Sequence, residues 1–329
     1  MLHNQFKIYL SESFDPKFNL SVEEWLMKHS QPNDVVMFLW QNANTIVIGR
    51  NQNPYKECSI KKIRDDGVQL VRRLSGGGAV FHDKGNLNFT FIAADANYNV
   101  ENNMNVILKG LSMFGIHGCF NGRNDLVIQQ RKFSGNAFFS ESGMNCHHGT
   151  LLVNVDFHKM SKYLNVSPLK LQSKGIDSVA SRVVNLKDIS KEITINSLKH
   201  ALIKSFNDFY KTNAEIININ EGTIDVTDYI KKYSSWEWNY SESPDFNVTL
   251  EEKFSWGLIE IYAVVSDGII KNCKIYTDSI KLEDFHKLEK ALENEMFKAE
   301  NMTKVIKSSI KDNQIMMDLC KLINDKLNN

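Results

Sequence analysis

Two short stretches of this sequence concentrate the residue types that handle anions. The first runs Arg72-Arg73-Leu74-Ser75-Gly76-Gly77-Gly78-Ala79-Val80-Phe81-His82-Asp83. Consecutive glycines allow positive φ and let backbone N–H groups approach an anion with no Cβ in the way. Arg73 offers a guanidinium to a phosphate or carboxylate, and Ser75 a hydroxyl donor. A tight glycine turn between strands has the same composition, so the glycines alone leave both readings open. The run has neither Gly-Lys-Ser/Thr nor GxGxxG ahead of a helix, so it is not a Walker loop or a dinucleotide fingerprint.

The second stretch is Gly122-Arg123-Asn124-Asp125-Leu126-Val127, followed by Arg131-Lys132-Phe133-Ser134-Gly135-Asn136-Ala137. Adenylation drives a carboxylate onto an α-phosphate, and the repulsion of two anions is a large part of the barrier. A fixed ammonium between them relieves it in the transition state. Lys132 is the candidate, against the ordinary reading of a solvated strand lysine. Asp125 has the chemistry to hold Mg²⁺ on phosphates, and equally that of a turn or capping residue.

His147 to Asn154 places two histidines at the head of an apolar strand. His148 or Gly149 could line an acyl pocket, and a structural role for either histidine fits as well. Neighbouring strand residues point to opposite faces and no third ligand has suitable spacing, which argues against zinc. Lys174 to Leu186 is polar and serine-rich, the composition of a closing loop or of a plain connector.

The elements that must position these residues follow from periodicity and punctuation. Asn19 to Lys28, Ile60 to Asp66, Val106 to Phe114, Phe157 to Leu164 and Ile195 to Tyr210 are predicted helices. Strands are predicted at Val35–Trp40, Thr45–Gly49, Val68–Leu74, Ala79–His82 and Leu87–Ala93. Others are predicted at Leu126–Ile128, Lys132–Phe138 and Gly149–Val155. Short strands with helices scattered among them indicate an α+β domain rather than a regularly alternating one. A polar segment with a proline, Ser241 to Asp245, reads as a linker. It separates a large domain, residues 1–240, from a small α+β unit, residues 247–329, with predicted helices around Leu282–Met296 and Gln314–Lys326.

Charge and cysteine usage exclude several classes. Basic and acidic residues balance at 39 each, so there is no basic footprint for nucleic acid. Cys58, Cys119, Cys146, Cys273 and Cys320 are scattered, with no Cys-x-x-Cys spacing, which argues against a disulfide framework or a zinc ribbon. No apolar stretch approaches the roughly 20 residues of a membrane span, and the expectation is a cytoplasmic protein.

Taken in order, these stretches resemble bacterial lipoate–protein ligases of the two-domain type. The resemblance begins at Ser13 to Trp25 and Val47 to Cys58. It passes through both anion-handling stretches and ends at Ser234–Phe246 and Phe254–Ile261. It implies a mixed-sheet catalytic domain like those of class II aminoacyl-tRNA synthetases and biotin ligases, with a small C-terminal accessory domain. It implies that Arg73, Gly78, Ala79, Val80 and Phe81 contact ATP or the adenylate, and that Lys132 contacts both the phosphate and the lipoate carbonyl. With the residue chemistry set out above, Ser75, His148 and Gly149 would join Lys132 in binding lipoate, and Asp125 would hold Mg²⁺. Where many relatives carry a basic residue just after the lysine motif, this chain has Phe138 and Phe139.

The implied activity is ATP-dependent: lipoate becomes lipoyl-AMP and is then transferred to a lysine. Acceptors would be lipoyl domains of 2-oxoacid dehydrogenase acyltransferase subunits and the glycine-cleavage H protein, with no nucleic acid or membrane partner. The rival is an ATP-independent lipoyl or octanoyl transferase of the same fold that uses a cysteine, with Cys119 and Cys146 as its candidates.

Overall fold

The computed structural model describes residues 4–121, 125–165, 183–240, 248–281 and 283–327. Gly122 to Asn124, the polar stretch from Lys174 to Arg182, and the segment Ser241 to Asp245 lie outside the described residues. The chain forms two compact units. One comprises Met1–Ile48, Pro54–Leu74 and Ala79–Asn239; the other comprises Gly49–Asn53, Ser75–Gly78 and Tyr240–Asn329.

In chain order the large unit has β1 (Gln5–Ser11), α1 (Pro16–His29), β2 (Asp34–Trp40), β3 (Thr45–Ile48), α2 (Pro54–Glu57), α3 (Ile60–Asp65), β4 (Gln69–Arg72), β5 (Val80–His82), β6 (Asn86–Ala94) and α4 (Val100–Ser112). It continues with β7 (Cys119–Phe120), β8 (Asp125–Ile128), β9 (Arg131–Glu141), β10 (Met144–Leu152), α5 (Phe157–Tyr163), α6 (Leu186–Ile189), α7 (Ile195–Tyr210), β11 (Glu215–Ile219), α8 (Thr227–Ser234) and α9 (Trp236–Asn239).

Eight strands make one mixed sheet in the order β11-β1-β2-β6-β10-β9-β8-β7, and β4-β3-β5 make a second. β1 runs parallel to both β11 and β2, and the remaining pairs of the large sheet are antiparallel. A parallel neighbour needs a crossover, which α1 supplies between β1 and β2. Helix α1 starts where Asp15 accepts from the Lys17 N–H and Pro16 takes the first turn, three residues before its apolar pattern begins.

Alternate strand residues face opposite sides of the sheet. On one side Met37, Leu39, Phe89 and Phe91 pack with Leu111 of α4 and Phe206 of α7. These helices approach closely: the Ser205 hydroxyl donates to the Val106 carbonyl at 2.7 Å. On the other side Val36, Phe38, Trp40 and Ile92 pack against Leu20 and Leu26 of α1 and Tyr233 of α8.

The small unit has three antiparallel strands, β12 (Val248–Phe254), β13 (Gly257–Ser266) and β14 (Ile269–Thr277). Three helices cover them: α10 (Phe285–Leu292), α11 (Ala299–Ser309) and α12 (Asn313–Leu327). Ile261, Ile275, Leu288, Met302 and Leu319 are among the residues of its core. Two short earlier stretches complete it. The Thr277 N–H donates to the Asn51 carbonyl at 2.7 Å, and the Gly77 N–H to the Ser279 carbonyl at 2.9 Å. A Cβ at Gly76 would lie 2.2 Å from the Ser279 oxygen, so backbone meets backbone there and only glycine fits. The N–H of Gly77 is therefore engaged within this unit, while a Cβ at Gly78 would meet nothing within 4 Å.

Glu24 ties α8 to α1. Its carboxylate accepts from Lys28 at 2.7 Å, from Lys232 at 2.8 Å and from the Tyr233 hydroxyl at 2.9 Å. Burial pushes its pKa up, but the bonds from Lys232 and Lys28 outweigh that and hold it below the usual carboxylate value. A depressed folded-state pKa gives stability that is present above the unfolded pKa and lost as pH falls through the folded one. Thermal unfolding of wild type and Glu24→Gln should differ most at neutral pH and converge below about pH 4. A gap that does not shrink on acidification would remove the ionised carboxylate from the account.

Candidate active site

Lys132 owes its direction to an irregularity in its strand. In regular alternation Lys132 would share a face with Phe138, which packs on the α4/α7 side, while Phe139 lies on the α1 side. The pairing of β8 and β9 slips by one residue, so that Leu126 faces Ser134 but Val127 faces Lys132. Phe133 drops into the α4/α7 core, and Lys132 is turned to the opposite face. Its Nζ lies 2.7 Å from where a Cβ of Gly135 would stand, and the Gly135 N–H donates to the Thr150 hydroxyl at 3.1 Å. The backbone is pinned from the other side: the Val184 N–H donates to the Lys132 carbonyl at 2.9 Å. The ammonium meets the Asp125 carboxylate at 2.7 Å, with both side chains about one-third exposed (35% and 30%). Asp125 and Lys132 are thus together, as an ion pair.

His147 and His148 diverge as strand geometry requires. His147 is fully buried in the α4/α7 core, between the Asn103 amide at 3.3 Å and the Asn136 Oδ1 at 3.0 Å. Burial, reinforced by the charge of His148, lowers its pKa to about 3, so it is a neutral structural residue. His148 faces α1, where its Nδ1 lies 2.9 Å from both oxygens of Glu23. The same carboxylate accepts from the Thr90 hydroxyl at 2.6 Å, which accepts in turn from the Trp40 indole at 3.0 Å. A Cβ at Gly149 would run into Phe89 and Asn136, so that position is open to the core face and not to the face of His148.

The two arginines also separate. Arg72 is a structural clamp: its guanidinium donates to the carbonyls of Trp238 at 2.8 Å and Asn239 at 3.1 Å. Arg73 is 6% exposed and donates to the Val47 carbonyl at 3.2 Å. Burial lowers its pKa to about 10, against the favourable charge of Glu23, and it remains a cation at neutral pH. Ala79 leads into β5, where Val80 and Phe81 pair with Val47 and Ile46 of β3. Ser75 and Gly78 belong to the small unit.

Glu23, Thr90 and Trp40 escaped the sequence reading as site residues. Glu23 sits mid-helix beside Glu24 and resembles a solvated pair. Its only signal was its place in the Ser13 to Trp25 stretch that carries the resemblance. The sequence argument that His148 lacks a third ligand also fails. Donor atoms of Glu23, Cys146 and His148 lie within 4.8 Å of one another, all buried.

Residues 15–207 match the Lipoyl protein ligase A/B catalytic domain, and residues 243–324 match the Bacterial lipoate protein ligase C-terminus. Mixed sheet, helices and C-terminal unit thus define an enzyme of the lipoyl protein ligase class. A lipoate-protein ligase A from Blochmanniella floridana is 43% identical over 87% of this chain and 87% of its own length. One from Bdellovibrio bacteriovorus is 39% identical over 92% of each. The crystal structure of P. falciparum LipL1 in complex with lipoate is 29% identical, covers 98% of this chain and 100% of its own, and superposes with a TM-score of 0.84. The chain belongs to the lipoate–protein ligase A family.

The cysteine-dependent rival finds no support here. Cys146 is 2% exposed, and burial, then the charge of Glu23, raises its thiol pKa well above the usual value, away from a nucleophilic thiolate. Cys119 is exposed on the edge strand β7. Replacing Cys119 and Cys146 together by serine should leave ATP-dependent lipoyl transfer within about threefold of wild type; an acyl thioester trapped on either cysteine of wild type would restore the rival. Gly135→Ala tests the placement of Lys132. Its methyl displaces a flexible side-chain end, so the melting temperature should hold while adenylation slows roughly tenfold to a hundredfold. An unchanged rate would show that this placement does not matter.

Proposed function

We propose that this enzyme uses ATP to activate lipoate as lipoyl-AMP and transfers the lipoyl group to a specific lysine of lipoyl-domain proteins. The observation that carries the reading is the ammonium of Lys132, turned by the strand slip onto the Arg73 and His148 side of the sheet and poised against Asp125. In the first step a lipoate carboxylate oxygen attacks the α-phosphorus, the bond to the β-phosphate breaks and pyrophosphate leaves. Lys132 lies between the two reacting anions and takes up the charge that develops there. Arg73 supplies a second fixed cation, and Ala79 to Phe81 hold the nucleotide. Ser75 keeps the lipoate role its hydroxyl suggests, and Gly78 the adenylate role that the resemblance gives it.

In the second step the neutral amine of the acceptor lysine attacks the lipoyl carbonyl. The carbon–oxygen bond to AMP breaks and the amine gives up a proton, leaving an amide. No covalent enzyme intermediate is needed, and the chain's work is positioning, charge neutralisation and exclusion of water from a mixed anhydride. Magnesium accompanies ATP. It takes most of its ligands from phosphates and water, so one side-chain carboxylate, Asp125, suits it. His148, fixed by Glu23, borders the acyl chain. The acceptors are lipoyl domains of 2-oxoacid dehydrogenase acyltransferase subunits and the glycine-cleavage H protein, and the setting is the cytoplasm. No described helix is long and apolar enough to cross a membrane.

The test is ATP–pyrophosphate exchange that depends on added lipoate. Wild type should support it, and Lys132→Ala should lower it roughly a hundredfold to a thousandfold while melting normally. Exchange that is independent of lipoate, or a folded Lys132→Ala enzyme of near-normal rate, would defeat the assignment.

A further inference from the structure

A row of residues crosses the large sheet on the face to which Lys132 is turned. It runs from Gly135 on β9 to Thr150 on β10, Asn88 on β6 and Trp40 on β2. Two strand spacings put Asn88 roughly 10 Å from Gly135, over which the Lys132 ammonium lies. That span suits an acyl phosphate.

Most polar groups on this face are satisfied within the protein, as with Glu23, Thr90 and the Trp40 indole. Two donors are not. Asn88 is 1% exposed; its Oδ1 accepts from the Asn86 amide at 2.8 Å, and its Nδ2 has no partner. His82 is 3% exposed, with its ring 6.2 Å from that of Trp40. The Asn42 amide donates to its Nδ1 at 3.3 Å, which leaves the hydrogen on Nε2, and Nε2 has no partner. Burial, with the charges of Arg73 and His148, lowers the His82 pKa to about 3, so the donor is neutral. Buried side-chain donors are almost always paired. Two unpaired ones at the end of the row away from Lys132 call for an acceptor brought from outside the chain.

We infer that Asn88 Nδ2 and His82 Nε2 are ligand-binding donors that hold oxygens of the acyl phosphate, on the side of the mixed anhydride away from Lys132. This rests on the ligase reading above. Lys132 and Arg73 already neutralise the anions, and further donors that carry no charge are cheaper to bury than a third cation. An amide and a neutral imidazole also fix the orientation of the oxygens without adding a charge that must be desolvated.

The experiment uses the full-length enzyme, lipoate-dependent pyrophosphate exchange, and a non-hydrolysable lipoyl-sulfamoyl analogue of lipoyl-AMP as the binding probe. Absence of exchange in wild type overturns the ligase reading itself. With exchange present, Asn88→Asp, which keeps the shape but turns a donor into an acceptor, should reduce it about a hundredfold. Asn88→Ala and His82→Leu should each weaken the analogue about tenfold or more, and His82→Gln, which retains a donor, should recover part of the loss. A merely structural role would lower melting temperatures and leave the affinity for the analogue at the wild-type value. That result in the folded Ala and Leu variants overturns the inference, whether or not the Asp variant folds.

Discussion

The large unit is organised around one buried carboxylate. Glu23 is 3% exposed, and a charge so placed must be paired or it costs the fold several kcal/mol. Its partners come from separate elements: His148 from β10, Thr90 from β6 with Trp40 of β2 behind it, and the charge of Arg73 just after β4. Helix α1 can satisfy Glu23 in only one rotation and one height above the sheet. The next residue, Glu24, points about 100° further round the helix and binds α8 through Lys232 and Tyr233. Two adjacent acidic residues thereby set the helix against its sheet on one side and against its neighbour on the other.

Given that frame, the placement of Lys132 depends on strand parity. A regular β9 would have sent Lys132 into the α4/α7 core with Asn136 and Phe138. One extra residue at Phe133 reverses it, and Gly135 leaves room for the ammonium to lie along the strand. The same alternation sorts the histidines, one into the core as a neutral group and the other toward Glu23. It sorts the two arginines as well, Arg72 to the carbonyls of α9 and Arg73 to the Val47 carbonyl of β3. Residues that look interchangeable in a motif are thus assigned different work by which way the backbone turns them.

Much of this was legible in the sequence where local signals and tertiary outcome agree. Helix α7 was read at its observed bounds because Leu198, Leu202 and Phe206 recur at four-residue steps, and in the structure Thr194 and Ser197 cap it. Helix α4 begins six residues before its predicted start, because its first turn, Val-Glu-Asn-Asn, has no apolar face and only the Asn99 cap marks it. Strands β1 and β11 went unread: β11 is a largely exposed edge strand with no clean alternation, and β1 is held by pairing with distant β2 and β11. At the site, Lys132, Arg73 and His148 could be named from motifs. Glu23 could not, since a carboxylate on a helix shows its burial only when its partners arrive from elsewhere. The strand slip at Phe133 was hidden too, because nothing in Arg-Lys-Phe-Ser-Gly marks a change of register.

The small unit has a consequence for the order in which the chain can be built. Its strands and helices all lie beyond residue 240, yet its structure includes Gly49–Asn53 and Ser75–Gly78. The Gly77 N–H finds its acceptor at Ser279, and the Asn51 carbonyl its donor at Thr277, each some two hundred residues downstream. During translation, when earlier regions generally fold first, those two stretches must wait without these partners until Thr277 and Ser279 emerge. Closing loops of that length costs entropy before any contact repays it. The glycine run therefore gains these contacts only once Ser279 has been made, and the molecule does not divide at residue 240 into two pieces that are each structurally complete.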